Sequence, residues 1–369
     1  MKQTPRNKGR LLFFAFFLQK VWPCQKKAVS LQAVLGEQSK LATTYHIPAL
    51  LTETLEGLNI SPEGMYVDVT LGGGGHSRAI LARLVPSSKL QVSGRLYSFD
   101  QDMDALVEAE KTKNKANNWI LVHGNFRYVR NFMDFYGIPA YDPEVPGSGI
   151  DGLLADLGVS FHHFDEAERG FSFRFPGPLD MRMNRQGGKT AADVLNTYSE
   201  DRLADVLYLY GELKNSRQLA RRIVGQRNDE PYKSTEQLTK TVIGSMPAIT
   251  EGELEIDPRF KKDLARVFQA IRMEVNDETA ALEEMLEGAK ALLKPGGRIA
   301  VLTYHSLEDR IVKNFLKSGN LTGKVEKDFY GNPLSPFRLI NRQVITASAE
   351  EVERNPRARS AKLRVAEKV

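Results

Sequence analysis

The chain has 369 residues, of which 41% are apolar and 26% charged, so it can bury a large core. Its single cysteine, Cys24, excludes an internal disulfide framework and a CxxC zinc pair. The net charge of +5 arises in residues 1–36, which hold seven Lys or Arg and no acid. The rest of the chain has 44 basic and 46 acidic residues, so the net charge does not indicate nucleic-acid binding by that part.

Residues 1–44 are predicted to form a basic N-terminal extension. "MKQTPRNKGR" followed by "LLFFAFFL" imitates a signal peptide, but the apolar run has only eight residues and no small-residue cleavage site follows. The run is also too short to span a bilayer. A disordered tail, an organelle-type presequence and a weak secretion signal are the alternatives. We favour the first two, which predict a cytoplasmic location or, for a presequence, an organelle matrix.

From Tyr45 onward, strand and helix patterns alternate. The predicted strands are "MYVDVTL" (65–71), "GRLYSFD" (94–100), "NWILVHG" (118–124), "GLLADLG" (152–158) and "GRIAVLTYHS" (297–306). "HSRAILARL" and "MDALVEAEK" are helices between the first of these strands, and the turn "KPGG" precedes the fifth. The alternation predicts an α/β fold with a doubly wound parallel sheet.

A long insertion interrupts this alternation. About 140 residues separate the fourth strand from the fifth, where one crossover helix needs only a few tens. "AADVLNTYSEDRLADVLYLYGE" and "KNSRQLARRIVGQR" are helical patterns within it. We therefore predict an inserted helical subdomain at 159–257 and assign 45–158 and 258–369 to the sheet domain.

The segment "DVTLGGGGHS" (68–77) places four glycines directly after the first strand. Glycines there let the chain turn sharply and let a ligand approach main-chain N–H groups, which predicts a nucleotide-like ligand. The dinucleotide fingerprint requires glycine at 72, 74 and 77, but residue 77 is serine, and no GK[ST] completes a P-loop. A tight turn without a ligand is the alternative.

The order Asp68, Thr70, Gly72, Gly74 resembles the first motif of class I S-adenosylmethionine-dependent methyltransferases. Asp100, at the end of the second strand, stands where a carboxylate can accept hydrogen bonds from both ribose hydroxyls. "LLKPGGRIAVLTYHS" resembles the turn and strand found late in the same fold. The resemblance implies a Rossmann-like sheet and S-adenosylmethionine as the cofactor.

Longer matches resemble one family, the ribosomal small subunit RNA methyltransferase H (MraW) family. The matching blocks are "YHIPALLTETLEGLNI", "DVTLGGGGHSRAIL", "DGLLADLGVS", "DEAERGFSFR" with "GPLDMRMN", "RVFQAIRMEVNDE", "YHSLEDRIVKNF" and "NPRARSAKLRVAEK". They cover residues 45–369 in order. The resemblance implies methylation of N4 of a cytidine in the decoding region of 16S ribosomal RNA, with the small ribosomal subunit as partner and residues 159–257 recognising the substrate.

The resemblance also implies the cofactor contacts, which are Gly74, Gly75, His76, Asp100, Phe126, Asp156 and His163. The glycines would approach the methionine part, Asp100 would hold the ribose, and Phe126 would pack on the adenine. A core position is the alternative for Phe126. His163 stands where the family has Gln, so its contact must differ, and a solvated loop histidine is the alternative.

Two residues are candidates for the chemistry. Asp156 ends the fourth strand, where its carboxylate could accept hydrogen bonds from the exocyclic amine and stabilise positive charge developing on nitrogen. His305, after the fifth strand, is a candidate proton acceptor. We expect neither a metal ion nor a covalent cysteine step.

Basic clusters are the candidates for RNA contact. "KNSRQLARRIVGQR" (214–227) has five Lys or Arg and no acid, and "NPRARSAKLRVAEK" (355–368) is a second cluster. A solvated charged face is the alternative for both. "RGFSFRFPG" (169–177) interleaves Arg with Phe, and could either stack an extruded base or close the junction between sheet and insert.

Two other functions stay open on the sequence alone. A nicotinamide-dependent oxidoreductase would share the sheet and Asp100, and a non-catalytic RNA-binding ribosome-assembly protein would keep the basic clusters. Titration with S-adenosylhomocysteine would separate both from a methyltransferase. A homodimer is a further open alternative.

Overall fold

The computed structural model describes residues 48–84, 94–113, 117–159, 166–245, 248–250 and 252–369. The predicted extension at 1–44 and the candidate His163 lie outside the described residues. What is described falls within one unit, His46–Val369. No helix in these ranges is both long and apolar enough to cross a membrane.

Strands and helices alternate up to the insert and resume after it. In chain order the elements of the sheet region are α1 (Leu51–Leu58), β1 (Met65–Asp68), α2 (Gly75–Leu81), β2 (Arg95–Asp100), α3 (Met103–Thr112), β3 (Trp119–His123), α4 (Val129–Phe135) and β4 (Ile150–Asp156). The insert region holds α5 (Ala191–Thr197), α6 (Glu200–Leu209), α7 (Ser216–Asp229), α8 (Thr235–Ile243), β5 (Ala248–Thr250), β6 (Glu253–Glu255) and α9 (Pro258–Asn276). The chain ends with α10 (Glu278–Leu292), β7 (Leu293–Thr303), α11 (Ser306–Ser318), β8 (Phe337–Leu339), β9 (Ile345–Thr346), α12 (Ala349–Arg354) and β10 (Lys362–Lys368).

The sheet has the strand order β3-β2-β1-β4-β7-β10-β8, with β9 paired to β10. The five predicted strands are its parallel part, which confirms the Rossmann-like fold class. β10 runs antiparallel to β7, β8 and β9. The sequence prediction omitted β8, β9 and β10. The predicted turn "KPGG" lies inside β7, where the register with β4 shifts.

Both faces of the sheet are covered. Neighbouring side chains of β4 enter different apolar clusters, Leu153 on one face and Leu154 on the other. This follows from the alternation of side chains along a strand. Helices α4, α10 and α11 cover the first face, and α1, α2 and α3 cover the second. Strands covered on both faces are continuously apolar, which is why they were evident in the sequence.

The insert has its own apolar core. Helices α5 to α8 contribute to it, and so does α9 through Leu264, Val267, Phe268 and Ile271. The helix that the sequence analysis assigned to the sheet domain therefore packs with the insert. The domain boundary at residue 258 stays a prediction. By its apolar contacts, α9 packs with the insert, although the predicted boundary assigns it to the sheet domain.

The basic segment 355–368 is largely part of the sheet. Leu363 and Val365 are buried, and Arg364 donates to Asp309 Oδ1 at 2.7 Å. Glu367 accepts from Arg298 at 3.1 Å. Residues 362–368 therefore form a strand whose charged side chains largely pair with the neighbouring strand and helix, whereas Arg357 and Arg359 are exposed, and contact of the cluster with RNA stays a prediction.

Candidate functional site

The carboxyl ends of the central strands meet at one edge of the sheet. β1 ends at Asp68, β2 at Asp100 and β4 at Asp156. Because β1 pairs with both β2 and β4, these carboxylates come from three adjacent parallel strands. The strand order reverses at β1, and ligands of open α/β sheets bind in the crevice at such a point.

The glycine loop after β1 is shaped by backbone geometry. Gly74 has a φ of 72° and caps α2. A Cβ on Gly75 would lie 2.3 Å from Pro48 Cγ, so this position admits no side chain. The N–H of Gly72 donates to Asp100 Oδ2 at 2.9 Å, which joins the loop to β2. Contact of Gly74 and Gly75 with a cofactor stays a prediction.

A buried polar chain holds this loop on the sheet. Asp68 is fully buried and accepts from Ser77 Oγ at 2.6 Å. Ser77 Oγ lies 2.7 Å from Ser98 Oγ, which also accepts from Trp119 Nε1 at 2.8 Å. Burial raises the pKa of Asp68, although the hydrogen bond from Ser77 opposes this. The sequence analysis missed Ser98 and Trp119, because ordinary strand residues carry no functional signal.

Phe126 follows the end of β3, the strand that pairs with β2. It begins a short 3₁₀ turn capped by Asn125, whose side chain donates to Gln101 Oε1 at 3.0 Å. Phe126, Asn125 and Gln101 line one cavity. Phe126 is only partly buried and packs against the sheet core with the rest of its surface. It therefore combines the predicted ligand position with the alternative core position.

The insert region forms the other wall of this cavity. Met183, Met273 and Asn276 face Phe126 and Leu157 across it. Asn276 also donates to the Met181 carbonyl at 2.8 Å, and its Oδ1 accepts from the Met183 N–H at 2.8 Å. A molecule in the cavity would thus touch both the sheet and the insert region.

A buried ion pair joins the insert to the loop after β2. Arg169 is 1% exposed and donates to Asp102 Oδ2 at 2.8 Å. The same guanidinium donates to the carbonyls of Arg182 and Met183 at 3.2 and 3.3 Å. Asp102 in turn caps α3. The sequence analysis missed this pair, whose partners lie 67 residues apart.

The aromatic part of "RGFSFRFPG" belongs largely to the insert core. Phe171 is 3% exposed, and Phe173 packs edge-on against Phe268 with ring centroids 5.6 Å apart. These two rings are therefore packed in the insert core, and Arg169 of the same segment makes the contact to the loop after β2, whereas stacking of the partly buried Phe175 on a base stays a prediction.

Asp156 is held by two side chains. Its Oδ1 accepts from Tyr304 Oη at 2.7 Å, and its Oδ2 lies 3.5 Å from His76 Nδ1. The other ring nitrogen of His76 lies 3.1 Å from the Ala49 carbonyl oxygen. Because oxygen acceptors face both nitrogens, the geometry favours the imidazolium. Burial by itself lowers the pKa of His76, but the hydrogen bond and charge of Asp156 outweigh it and leave this pKa raised.

The arrangement leaves the Asp156 carboxylate oriented but accessible. Burial, and then the charge of Asp156, raise the pKa of Tyr304, so its hydroxyl stays protonated and donates. The side chain of Asp156 is 24% exposed, whereas that of His76 is 6% exposed. The sequence analysis missed Tyr304, although it directly precedes the candidate His305 in "YHSLEDR".

His305 caps α11 instead of joining Asp156. Its Nε2 lies 3.0 Å from Glu308 Oε1, and its Nδ1 accepts from the Glu308 N–H at 3.5 Å. Glu308 is buried, which raises its pKa, but the hydrogen bond and charge of His305 reverse this and leave it lowered. The role of His305 as a proton acceptor stays a prediction.

Ligand atoms of Glu278, His305 and Glu308 lie within 4.8 Å of one another, a spacing that a metal ion could use. However, Arg272 donates to both oxygens of Glu278, at 2.8 and 2.9 Å. Its positive charge satisfies the carboxylate and would repel a cation. We assign no metal to this cluster.

The basic face of α7 is partly exposed. Lys214 and Arg217 are exposed, and Arg221 lies 3.3 Å from Glu200. Arg227 has a structural position, since it donates to two main-chain carbonyls of the insert at 2.8 and 2.7 Å. Part of the predicted RNA-contact cluster is therefore available to a ligand and part is not.

The strand edge fits the cofactor that the sequence implies. S-adenosylmethionine needs a close main-chain approach, an acceptor for the ribose and an apolar surface for the adenine. The glycine loop admits no Cβ at Gly75, Asp100 stands at the end of β2, and Phe126 borders a cavity. The glycine loop lies at the switch point of the sheet, Asp100 ends the neighbouring strand β2, and Phe126 follows the next strand, β3.

Comparison with known proteins gives a consistent result. Residues 43–369 match the model of the MraW methylase family. The chain is 53% identical over 337 residues to "Ribosomal RNA small subunit methyltransferase H" of Phocaeicola vulgatus, covering 89% of this chain and 99% of that one. It is 54% identical over 325 residues to the protein of the same name from Bacteroides thetaiotaomicron, covering 88% and 98%.

A solved rRNA methylase from Streptococcus thermophilus is similar in structure with a TM-score of 0.34 and 13% identity, covering 86% of this chain and 93% of that one. At that level it adds nothing to the sheet topology described above. The family match and the curated relatives decide the assignment, and they set aside the nicotinamide-dependent alternative. The chain belongs to the MraW methylase family, which confirms the resemblance seen in the sequence together with its methyltransferase class and its S-adenosylmethionine cofactor.

Proposed function

We propose that this methyltransferase modifies N4 of a cytidine in the decoding region of small-subunit ribosomal RNA. The relatives' name, "Ribosomal RNA small subunit methyltransferase H", supports the class of substrate. The observation that carries the chemical part is the position of Asp156, whose carboxylate is held by Tyr304 and His76 at the same strand edge as the glycine loop.

We propose that the cofactor lies across the ends of β1, β2 and β4. Gly74 and Gly75 would approach its methionine part, Asp100 would accept from the ribose hydroxyls, and Phe126 would cover the adenine. The His76 ring is occupied by Asp156 and Ala49, so we assign its effect to orienting Asp156. When bound, S-adenosylmethionine supplies a methyl group that its sulfonium already activates.

The remaining task is to make the amine reactive. The lone pair of a cytosine amine is delocalised into the ring, which makes it a poor nucleophile. A carboxylate that accepts a hydrogen bond from this amine favours the pyramidal form and stabilises the positive charge that develops on nitrogen. Asp156 can do this because both its donors fix it in place before the substrate arrives. Positioning of this kind is a large part of such catalysis.

The nitrogen gains a methyl group and releases one proton. The Asp156 carboxylate is partly exposed, so it can accept that proton and pass it to water. His305 is the alternative acceptor, and its contact with Glu308 would stabilise the charge it gains. The contact of His305 with Glu308 in place of Asp156 makes Asp156 our first choice.

Recognition of the RNA would fall to the insert. The exposed Lys214, just before α7, and Arg217, on α7, offer phosphate contacts. The cavity beside Phe126 is walled by Met183 and Met273 of the insert region, so the insert region borders the proposed cofactor position. Chemistry on a base requires its removal from the stack, so the target cytidine would reach this edge as an extruded nucleotide.

The test uses small ribosomal subunits that lack the modification, labelled S-adenosylmethionine and the full chain. Digestion to nucleosides should place the label on N4-methylcytidine, and Asp156→Asn should lose most of it. Asp134→Asn, at an exposed carboxylate on α4, is the matched control and should behave as wild type. Label on another nucleoside would overturn the position assigned here. No label with any subunit, despite S-adenosylhomocysteine binding, would favour the non-catalytic assembly alternative.

A further inference from the structure

The segment between α11 and β8 contains a small hairpin, residues 326–334, which we call the aromatic hairpin. Lys327 and Pro333 form its β-bridge, and the Leu334 N–H donates to the Glu326 carbonyl at 2.7 Å. The Gly331 N–H donates to the Asp328 carbonyl at 3.0 Å, with Gly331 at a φ of 86°. This is a tight turn followed by a left-handed glycine, a common three-residue hairpin connection.

The tip is rigid although it is exposed. The Asp328 carboxylate accepts from the main-chain N–H groups of Tyr330 and Asn332 at 2.9 and 2.8 Å. It also accepts from the Asn332 side chain at 2.9 Å. These bonds, that of Asn332 first, lower the pKa of Asp328. One carboxylate therefore fixes three donors around the turn and sets the direction of the residues between them.

Those residues are two unshielded aromatic rings. Phe329 is 97% exposed and Tyr330 85% exposed, more than any other large hydrophobic side chain in the described ranges. Their rings stand edge to face with centroids 5.6 Å apart. Single exposed apolar residues are ordinary, but two adjacent rings held outward by a built turn present a surface for a partner.

The surrounding charge indicates what that partner is. Residues 310–342 contain seven Lys or Arg and only two acids, whereas the chain beyond residue 36 is near neutral. Lys313, Lys317, Lys324 and Lys327 are exposed and form no ion pair with another described residue. Uncompensated cations in the same segment as exposed rings suit a polyanion that carries planar groups, which is the chemistry of unpaired RNA. A second copy of the same cationic hairpin would be repelled.

The segment that carries the hairpin begins at the end of α11 that lies away from His305. α11 begins beside His305 and runs 13 residues, about 20 Å at 1.5 Å per residue, before the hairpin segment starts. At its far end, Lys290 Nζ donates to the Gly319 carbonyl at 3.0 Å, which ties it to the end of α10. The chain that leads to the rings therefore starts at the end of α11 opposite the strand edge.

We propose that Phe329 and Tyr330 stack on unpaired bases of ribosomal RNA, and that the aromatic hairpin is a second, remote docking point for the substrate. The proposal rests on the proposed function for the identity of the RNA. It adds a contact that the reacting nucleotide does not make. A short RNA around that nucleotide cannot reach it, whereas a whole subunit can.

The test measures binding of naked small-subunit ribosomal RNA and of small subunits to the full chain. Phe329→Leu with Tyr330→Leu keeps apolar side chains but removes both π faces, and should weaken both affinities at least about tenfold. Phe329→Trp with Tyr330→Trp keeps the π faces and should bind as well as wild type. Emission from Tyr330→Trp should be quenched by the RNA. Phe135→Leu, at another exposed ring, is the matched control.

Three results would overturn the proposal. Unchanged RNA affinity of the Leu pair excludes stacking. A loss confined to whole subunits, with naked RNA bound normally, shows a protein partner. A self-association of wild type that the Leu pair abolishes in sedimentation shows a second copy. Affinity for S-adenosylhomocysteine should be equal in all variants. If wild type binds RNA through these rings but transfers no methyl group, the proposed function fails and the docking point stands.

Discussion

Replacing Asp156 by Asn separates the shape of this carboxylate from its charge. The amide oxygen can still accept from Tyr304, now 2.7 Å from Oδ1. The amide nitrogen would face His76 Nδ1, which lies 3.5 Å from Oδ2. His76 can accept that hydrogen bond only as the neutral ring, with its remaining proton on the nitrogen that faces Ala49. The variant therefore keeps both contacts and loses the negative charge and the imidazolium together.

The expected cost falls on the chemical step. Loss of one preorganised electrostatic group costs about 2.7 to 4 kcal/mol of barrier, or roughly a hundredfold to a thousandfold in rate. Cofactor affinity should change by less than about threefold, because the ribose acceptor in our assignment is Asp100. Tyr304→Phe keeps the charge and removes one hydrogen bond to it. Since Asp156 is partly exposed, water can replace that bond. We therefore expect a loss at the low end of the range for hydrogen bonds to charged groups, about 1.5 kcal/mol or tenfold in rate.

Single-turnover methylation of small subunits at saturating S-adenosylmethionine measures the chemical step. Calorimetric titration of the same preparations with S-adenosylhomocysteine measures cofactor binding. A rate for Asp156→Asn close to that of wild type, with only the affinity reduced, would refute the reasoning. Asp156 would then be a cofactor ligand, and the role of proton acceptor and amine partner would move to His305.

Further predictions concern binding, stability and the N-terminal extension. Asp100→Ala should weaken S-adenosylmethionine binding by about 2 to 3 kcal/mol in a titration, and unchanged affinity would contradict its assignment to the ribose. Arg169→Met should lower the free energy of unfolding by about 3 to 5 kcal/mol in denaturant melts, because Asp102 would stay buried without its partner; a loss below about 1 kcal/mol would show the site to be hydrated. The pKa of His76 is raised on folding from 6.5, so its stabilisation is complete below that pH and is lost as pH rises through the higher folded value; thermal melts of wild type should show this loss, and those of His76→Gln should not. Deletion of residues 1–40 should leave cofactor affinity and turnover within about a factor of two, and a collapse in turnover would place the extension in the RNA site.

The parallel part of the sheet could be predicted because each of its strands is a short apolar run followed by a helix pattern. The strands β8, β9 and β10 could not. β8 and β9 have three and two residues, too few to show a period. In β10, Leu363 and Val365 alternate with charged residues, and the sequence does not reveal that Arg364 pairs with Asp309 at 2.7 Å. The composition of this segment indicated a basic surface, whereas in the fold the segment is a strand of the sheet with its arginine in an ion pair.

At the site, local signals identified the loop and the strand ends, and non-local contacts stayed hidden. Asp100 and Asp156 follow apolar strands and could be predicted to lie at one edge. The donors that orient Asp156 lie 148 residues later, at Tyr304, and 80 residues earlier, at His76, and neither spacing carries information. The sequence analysis named His305 as a candidate proton acceptor, and the structure shows it as the N-cap of α11, a position that the sequence did not reveal.

The Arg169–Asp102 ion pair links two binding events thermodynamically. The Asp102 N–H donates to Asp100 Oδ1 at 2.8 Å, while its carboxylate holds Arg169 of the insert. A ligand that shifts the insert must therefore change the free energy of Asp100, the group that we assign to the ribose, and the reverse holds by the same factor. We expect the affinities for cofactor and RNA to be measurably interdependent, each changing by the same factor when the other ligand is bound, with this one buried hydrogen-bonded turn as the link.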